Sequence, residues 1–283
     1  MTGQLERIVE LQSLENSLPS SGSNNIIAFT AGKGGAGKTV ISLNFAYRLS
    51  RLGKKVLFAD LDLNFSNAHI MLNLAASKNL KNYFEGNSLL KSILLPVESN
   101  FYVIPGFSGW TESGQFGNNK INSLLTELKK LSLNFDYIIL DTGQLNNNVQ
   151  LQILLNAKSV IIVTTPEPTA VMDAYVVVKL LKKNNSGSIK QVVVNKSSDK
   201  DEAMLTFNNL NTATEHFLNE KLRFAGYINF SEFIHKSIVE QKLFLKEFSD
   251  ETVKQQIITL SDSITEFIQM ANIEQMNSEK TSK

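Results

Sequence analysis

From Ile26 onward, short apolar runs alternate with longer stretches in which apolar residues recur every three or four positions. The runs predict strands at Ile26–Thr30, Lys55–Asp60, Phe101–Ile104, Tyr137–Asp141, Val160–Thr165, Gln191–Asn195 and Phe224–Ile228. The periodic stretches predict helices at Lys38–Leu52, Lys120–Leu131, Val149–Asn156, Thr169–Lys183, Glu202–Leu218, Glu232–Phe244 and from about Asp250 to Ala271. Strands that are apolar throughout need cover on both faces. The pattern therefore predicts an α/β fold: a doubly wound, mostly parallel sheet with helices on both sides. Ahead of this body, Ile8, Leu11 and Leu14 fall at three-residue steps, so Leu5–Glu15 is expected to form a short amphipathic helix. Ser17–Asn25 reads as a flexible linker. The expected organisation is an extension over 1–24, one folded domain over 25–272 and a polar, frayed tail over 273–283.

Composition narrows the chemistry. The 283 residues are 42% hydrophobic and 19% charged, as in an ordinary globular protein. Zero cysteines exclude disulfides, a thiol nucleophile, thiolate zinc and a Cys-ligated iron–sulfur cluster. The formal charge of +1 argues against bulk electrostatic binding to nucleic acid. No apolar run is long enough to span a membrane, and MTGQLERIVELQSLENS lacks the basic and apolar regions of a signal peptide. A cytoplasmic location is expected.

The first strand runs directly into AGKGGAGKTV. Gly32 to Thr39 fits G-x-x-x-x-G-K-[ST], with a strand before it and a helix after it, as a phosphate loop requires. Glycines let the backbone wrap a phosphate closely, and the loop amides with the helix start then face the anion. Gly32, Lys33, Gly34, Gly35, Ala36, Gly37, Lys38, Thr39 and Val40 are the expected nucleotide cradle. Lys38 is expected to reach the β- and γ-phosphates, and the Thr39 hydroxyl to bind Mg²⁺. Carboxylates at strand C-termini complete such sites. Asp60 and Asp62 end the second strand, and Asp141 ends YIILD. Period-two alternation turns Asp60 away from Leu61, towards the lysine or the metal shell.

With Lys33 after its first glycine, the loop resembles the deviant phosphate loop of the MinD/ParA class of P-loop ATPases. The resemblance implies a MinD-like P-loop domain over 25–272, using ATP/ADP and Mg²⁺. It implies that Lys33 crosses an ATP-dependent homodimer to the partner's phosphates. It also implies catalytic parts for Lys33, Lys38, Asp62 and Asp141, and a metal set of Thr39, Asp62 and Asp141. Asp62 and Asn67 match the first switch, in which, the resemblance implies, Asp62 positions or activates the attacking water. Asp141-Thr142-Gly143 matches the second switch. There the family typically reads Asp-Thr-Gly-Ala-Gly or Asp-Ser/Ala-Pro-Ala-Gly, but this chain has Gln144-Leu145 in place of Ala-Gly. Val40 replaces the usual hydroxyl residue. Binding is expected to survive these changes and hydrolysis to be slow. Asn195 matches the asparagine that reads adenine. In NKSSD, Asp199 stands one residue too far for guanine recognition, which favours ATP over GTP.

TTPEPTAVMDAY (Thr164 to Tyr175) resembles the flagellar-number regulators of the MinD group, the FlhG (FleN, YlxH) branch. Pro166 and Pro168 end the strand, and Thr169 is expected to cap the following helix. In that branch an N-terminal motif stimulates an FlhF-type GTPase; over Gly3–Val9, Gln4 and Ile8 match it. The C-terminal stripe Val253, Ile257, Leu260, Ile264, Phe267, Ile268 and Ala271 resembles the lipid-binding helix of MinD. Yet Ser249–Lys283 holds three lysines (Lys254, Lys280, Lys283) against six carboxylates (Asp250, Glu251, Asp262, Glu266, Glu274, Glu279). Membrane helices carry a basic polar face, so the stripe is expected to pack on the sheet. Peripheral attachment at the inner membrane face or the cell pole stays open. The leading expectation is an ATP-driven dimeric switch acting on flagellar-assembly proteins. The alternatives are a ParA-type DNA-partition ATPase, for which Lys179, Lys182, Lys183 and Lys190 supply a basic cluster, and a nucleotide-binding scaffold with little turnover.

Overall fold

A computed structural model describes residues 25–108, 118–145 and 147–281. The expected N-terminal helix (Leu5–Glu15), most of the linker, the Gly3–Val9 motif and Asn146 lie outside the described residues. The described strands are β1 (Ile26–Ala31), β2 (Val56–Leu61), β3 (Leu95–Glu98), β4 (Phe101–Ile104), β5 (Tyr137–Gln144), β6 (Ser159–Thr164), β7 (Ile189–Ser197) and β8 (Arg223–Asn229). They form one sheet in the order β3-β4-β2-β5-β1-β6-β7-β8. Every neighbouring pair is parallel except β3 with β4, at the edge. The doubly wound, mostly parallel expectation holds.

The period of two sorts each strand between two cores. Ile26 and Ala28 of β1 point into one, with Leu57, Ala59, Ile138 and Leu140. Ile27 and Phe29 point into the other, with Phe58 and Ile139. The first core is covered by α4 (Asn118–Leu131), α5 (Asn148–Leu155), α6 (Pro168–Lys183) and α7 (Lys200–Leu218). The second is covered by α1 (Lys38–Arg51) and the long C-terminal helix introduced below. Short helices α2 (Ala68–Met71) and α3 (Leu80–Phe84) lie between β2 and β3.

Three expectations need correction. Strand β3 was not expected, because Pro96 stands inside it. It is an antiparallel edge strand, where a missing N–H is tolerated. The single helix expected over Glu232–Phe244 is two: α8 (Glu232–Val239) and α9 (Phe244–Glu247). The chain turns between them with Gln241 at φ +55° and Leu243 extended. Thr169 is not a helix cap. Glu167 occupies the cap position and Pro168 the first turn, where its fixed φ starts the helix without a side-chain cap.

The last helix, α10, runs Glu251–Thr281, beyond the expected end near Ala271 and through most of the expected tail. Its stripe Val253, Ile257, Leu260, Ile264 and Ile268 is buried in the second core. Packing on the sheet is thus where this stripe goes. Truncation at Ser261 would strip Ile264 and Ile268 from the core. Ile264→Ala is expected to cost about 2–4 kcal/mol in urea unfolding, as large-to-small core changes do. Met270→Ala, at a side chain 53% exposed, should stay within about 0.5 kcal/mol of the parent. Equal effects would mean that the helix is not docked by this stripe.

Candidate functional site

The strand order puts the C-terminal ends of β1, β5 and β2 side by side. Phe29 pairs with Asp141, and Asp60 pairs with Asp141 on the other side. The phosphate loop leaves β1 at this edge and enters α1. Gly37 has φ +90°, a region L side chains avoid, and a Cβ there would stand 2.2 Å from the Asn195 amide. Gly32 lies so close to α6 that a Cβ would meet the Asp173 backbone at 2.4 Å. The loop is therefore wedged between α6 and the end of β7, and only glycine fits at both contacts.

Lys38 is nearly buried at the loop's end. Its ammonium lies 3.3 Å from Asp62 and 3.7 Å from Asp141. Burial alone would lower its pKa, but Asp141, Asp62 and Asp60 outweigh burial and hold it above the ordinary lysine value. Thr39 donates its hydroxyl to Asp141 Oδ2 at 2.6 Å. Burial pushes the Asp141 carboxyl up to about 7, against the pull of Lys38. The site residues Lys38, Thr39, Asp62 and Asp141 thus converge as the sequence suggested.

Asp60 behaves differently from the expectation. It faces neither Lys38 nor Thr39 directly. It accepts from Ser66 Oγ at 2.7 Å, Ala68 N at 2.9 Å and Asp62 N at 3.2 Å. Three local donors within reach pin the Asp62–Ala68 loop onto the strand end. Burial raises its pKa against those bonds. Asn67 precedes α2 and lines the cavity.

The cavity above the loop measures about 940 Å³. Residues of the loop, Val40, Asp62, Gln144 and Asn195 line it, with Phe230, Phe233 and Ile238 from the far wall. Asn195 reaches this wall, and its amide donates to the Ala36 carbonyl at 2.8 Å. Asp199 is the cap of α7, accepting from Glu202 N at 2.8 Å, so it is a structural residue and not a base reader. Three groups escaped sequence reasoning. Glu167 forms an ion pair with Lys33 at the surface. Lys196 donates to the Gly35 carbonyl at 2.8 Å. Gln144 abuts Gly34. Glu167 sits in the string TTPEPT, but nothing in that string marks it as the partner of a residue 134 positions away. Of the expected basic cluster, Lys182 and Lys190 share Glu220 at 3.0 and 2.8 Å, whose single negative charge offsets one of the cluster's four positive charges.

The residues fit a magnesium ion on an observation of their own. Asp141 Oδ1 is buried and accepts no hydrogen bond. A buried carboxylate oxygen that accepts no hydrogen bond, with the Lys38 ammonium 3.7 Å away and a threonine hydroxyl beside it, suits a hydrated cation shared with phosphates. Among the described residues no three His, Cys, Asp or Glu side chains form a metal cage.

The raised pKa of Asp141 has a stability consequence. In EDTA without nucleotide, its contribution is full below about pH 4, the unfolded carboxylate range, and is lost as pH rises through about 7. Asp141→Asn should flatten this fall between pH 5 and 8, because a carboxamide does not titrate. Melting curves from pH 5 to 8 check it. A variant whose melting temperature falls with pH as steeply as the parent's would contradict the charge cost.

Comparisons with known proteins agree with the geometry. The AAA domain family matches residues 24–193. The antiactivator FleN of Pseudomonas aeruginosa is 29% identical over 223 residues, 79% of this chain and 80% of that protein. The flagellum site-determining protein YlxH of Helicobacter pylori is 31% identical over 264 residues, 91% of this chain and 88% of that protein. Among solved structures, the cell division ATPase MinD of Pyrococcus furiosus shares the fold with a TM-score of 0.74 at 22% identity, over 87% of this chain and 100% of that one. MinD of Pyrococcus horikoshii, complexed with Mg-ADP, matches with a TM-score of 0.71 at 22% identity, over 85% and 95%. A phosphate loop with its extra lysine, two strand-end carboxylates on Lys38 and relatives matched over most of their length lead to one assignment: the chain belongs to the MinD/ParA-type P-loop ATPases, with FleN and YlxH among its relatives.

Proposed function

We propose that this chain is an ATP-dependent dimerising switch of the MinD/FlhG type that regulates flagellar number or placement, with slow ATP hydrolysis. The observation that carries the reading is the Lys38–Asp62–Asp141–Thr39 cluster beneath a phosphate loop whose extra lysine, Lys33, lies at the surface. The names of FleN and YlxH, an antiactivator and a flagellum site-determining protein, supply the flagellar part.

The residues divide the work. The loop amides from Gly34 to Thr39 bind the phosphate chain. Lys38 neutralises charge on the β- and γ-phosphates as the terminal group departs. Thr39 and Asp141 would hold a magnesium ion, which would supply charge neutralisation on the phosphate oxygens. Asp62, 3.3 Å from the Lys38 ammonium, accepts the proton of the attacking water. Asn195 contacts the base. Lys33 leaves Glu167 and reaches the partner subunit's phosphates in the dimer. Exposed Phe65 and Phe230 rim the cavity and supply apolar surface for that contact. The switch would act in the cytoplasm, at the inner face of the membrane or the pole, on an FlhF-type GTPase or other flagellar-assembly proteins.

The test is gel filtration with Mg-ADP and with Mg-ATP, and ATPase measured on the same samples. ATP is expected to shift the parent to a dimer. Asp62→Ala should lower turnover by about 10²-fold, a usual size for loss of a proton acceptor, and hold the dimer longer. Lys33→Ala should bind ATP and stay monomeric. If Asp62→Ala with ATP remains a monomer, the dimer switch is wrong. A parent that binds ATP without turning it over favours the scaffold reading. The observation behind that alternative is Gln144-Leu145 in place of Ala-Gly.

A further inference from the structure

The replaced step in the second switch puts a new group at the cavity. Gln144 is the last residue of β5, three beyond Asp141, and it lines the cavity. Its Nε2 lies 2.5 Å from where a Cβ on Gly34 would stand, so the carboxamide rests directly on the phosphate loop. The residue before it, Gly143, sits beneath Asp62: a Cβ there would be 3.0 Å from Asp62 Oδ1. The end of β5 therefore sets three positions in a row. Asp141 lies on the Thr39 side, Gly143 lies under Asp62, and Gln144 lies against the opening limb of the loop.

We propose that Gln144 orients the attacking water in ATP hydrolysis. The proposal rests on the ATPase reading above. A water that attacks the γ-phosphorus must be held by an acceptor while a donor steadies it against the phosphate oxygens. A carboxylate such as Asp62 only accepts. A carboxamide accepts through its oxygen and donates through its nitrogen, so Gln144 supplies what Asp62 lacks. Glutamine performs this service in other P-loop hydrolases. In the step, the water oxygen forms a bond to the γ-phosphorus, and the bond from that phosphorus to the β–γ bridging oxygen breaks. The electron pair leaves with ADP, and the water's proton passes to Asp62. No further reactant is needed. In this reading the chain has lost the small Ala-Gly step but carries its own water-holding amide in its place.

Two variants separate this role from packing. Gln144→Met keeps the length and bulk but neither donates nor accepts as the amide does. Gly34→Ala keeps Gln144 but drives its amide off the loop. ATP affinity and single-turnover hydrolysis are measured on the full chain with Mg-ATP. The expected result is unchanged ATP affinity with hydrolysis slowed by more than about tenfold in Gln144→Met, within the range of a lost positioning contact. Gly34→Ala should slow hydrolysis in the same sense. Retention of hydrolysis within about tenfold in Gln144→Met overturns the proposal, since bulk alone then suffices. Loss of ATP affinity in that variant also overturns it, making Gln144 a prop of the loop. If the parent itself does not hydrolyse ATP, the ATPase reading fails and the proposal falls with it. A parent that hydrolyses ATP beside an unimpaired Gln144→Met sinks the proposal alone.

Discussion

A buried ammonium needs buried carboxylates, and that requirement organises the site edge of this molecule. Lys38 has little access to water, so it is stable there only because Asp62 and Asp141 face it. Those two carboxylates come from β2 and β5, which must then be neighbours, and Lys38 follows β1, which must lie beside β5. The order β2-β5-β1 at the centre of the sheet meets that demand. The apolar strands supply the driving force for the sheet. The charge cluster fixes which strand ends meet. Asp141 bears most of the cost: it is the more deeply buried carboxylate, and its Oδ1 accepts no hydrogen bond.

The loop is held by contacts from both sides rather than by its own hydrogen bonds. Helix α6 leans on Gly32 from one side, while Asn195 and Lys196 of β7 hold the carbonyls of Ala36 and Gly35 from the other. A phosphate cradle must keep its amides pointed at the ligand before the ligand arrives, and this clamp does so without using those amides. The Lys33–Glu167 pair sits on the same α6 side. Both partners are exposed, so its strength is small and screened, and a phosphate can displace it.

The sequence carried the fold wherever an element had its own period and length. Seven of the eight strands follow from apolar runs alone. The exception, β3, is short, contains Pro96 and depends on pairing with β4 for its existence. The split between α8 and α9 has no glycine or proline to announce it, only Gln241 in a left-handed conformation that packing imposes. The same division runs through the site. Lys38, Thr39, Asp62 and Asp141 were legible because each stands at a fixed step from a strand end. Lys196 and Glu167 were not, because their partners lie 161 and 134 residues away and no local spacing encodes such a pair. Asp60 was misread for a related reason. Alternation gave its face, but its donors, Ser66 and Ala68, lie in and just after a loop with no periodic pattern.

The C-terminal helix shows how a pattern can suggest two uses when only packing decides between them. Val253, Ile257, Leu260, Ile264 and Ile268 would suit a membrane as well as a core. Their burial means that lipid binding by this stripe must first uncover β8 and α1. Five large side chains at about 1.5–3 kcal/mol each oppose that exchange. Among the described side chains of α10, the large apolar groups left exposed are Met270 and Ile273, and the helix's charge is acidic. An ATP signal has a nearer outlet. Phe65 lies in the loop that Asp60 pins and Asp62 begins, so any shift of Asp62 with the γ-phosphate is passed within three residues to an exposed aromatic side chain. A protein partner reading that rim would sense nucleotide directly, whereas a lipid surface reading α10 would have to sense it through the core.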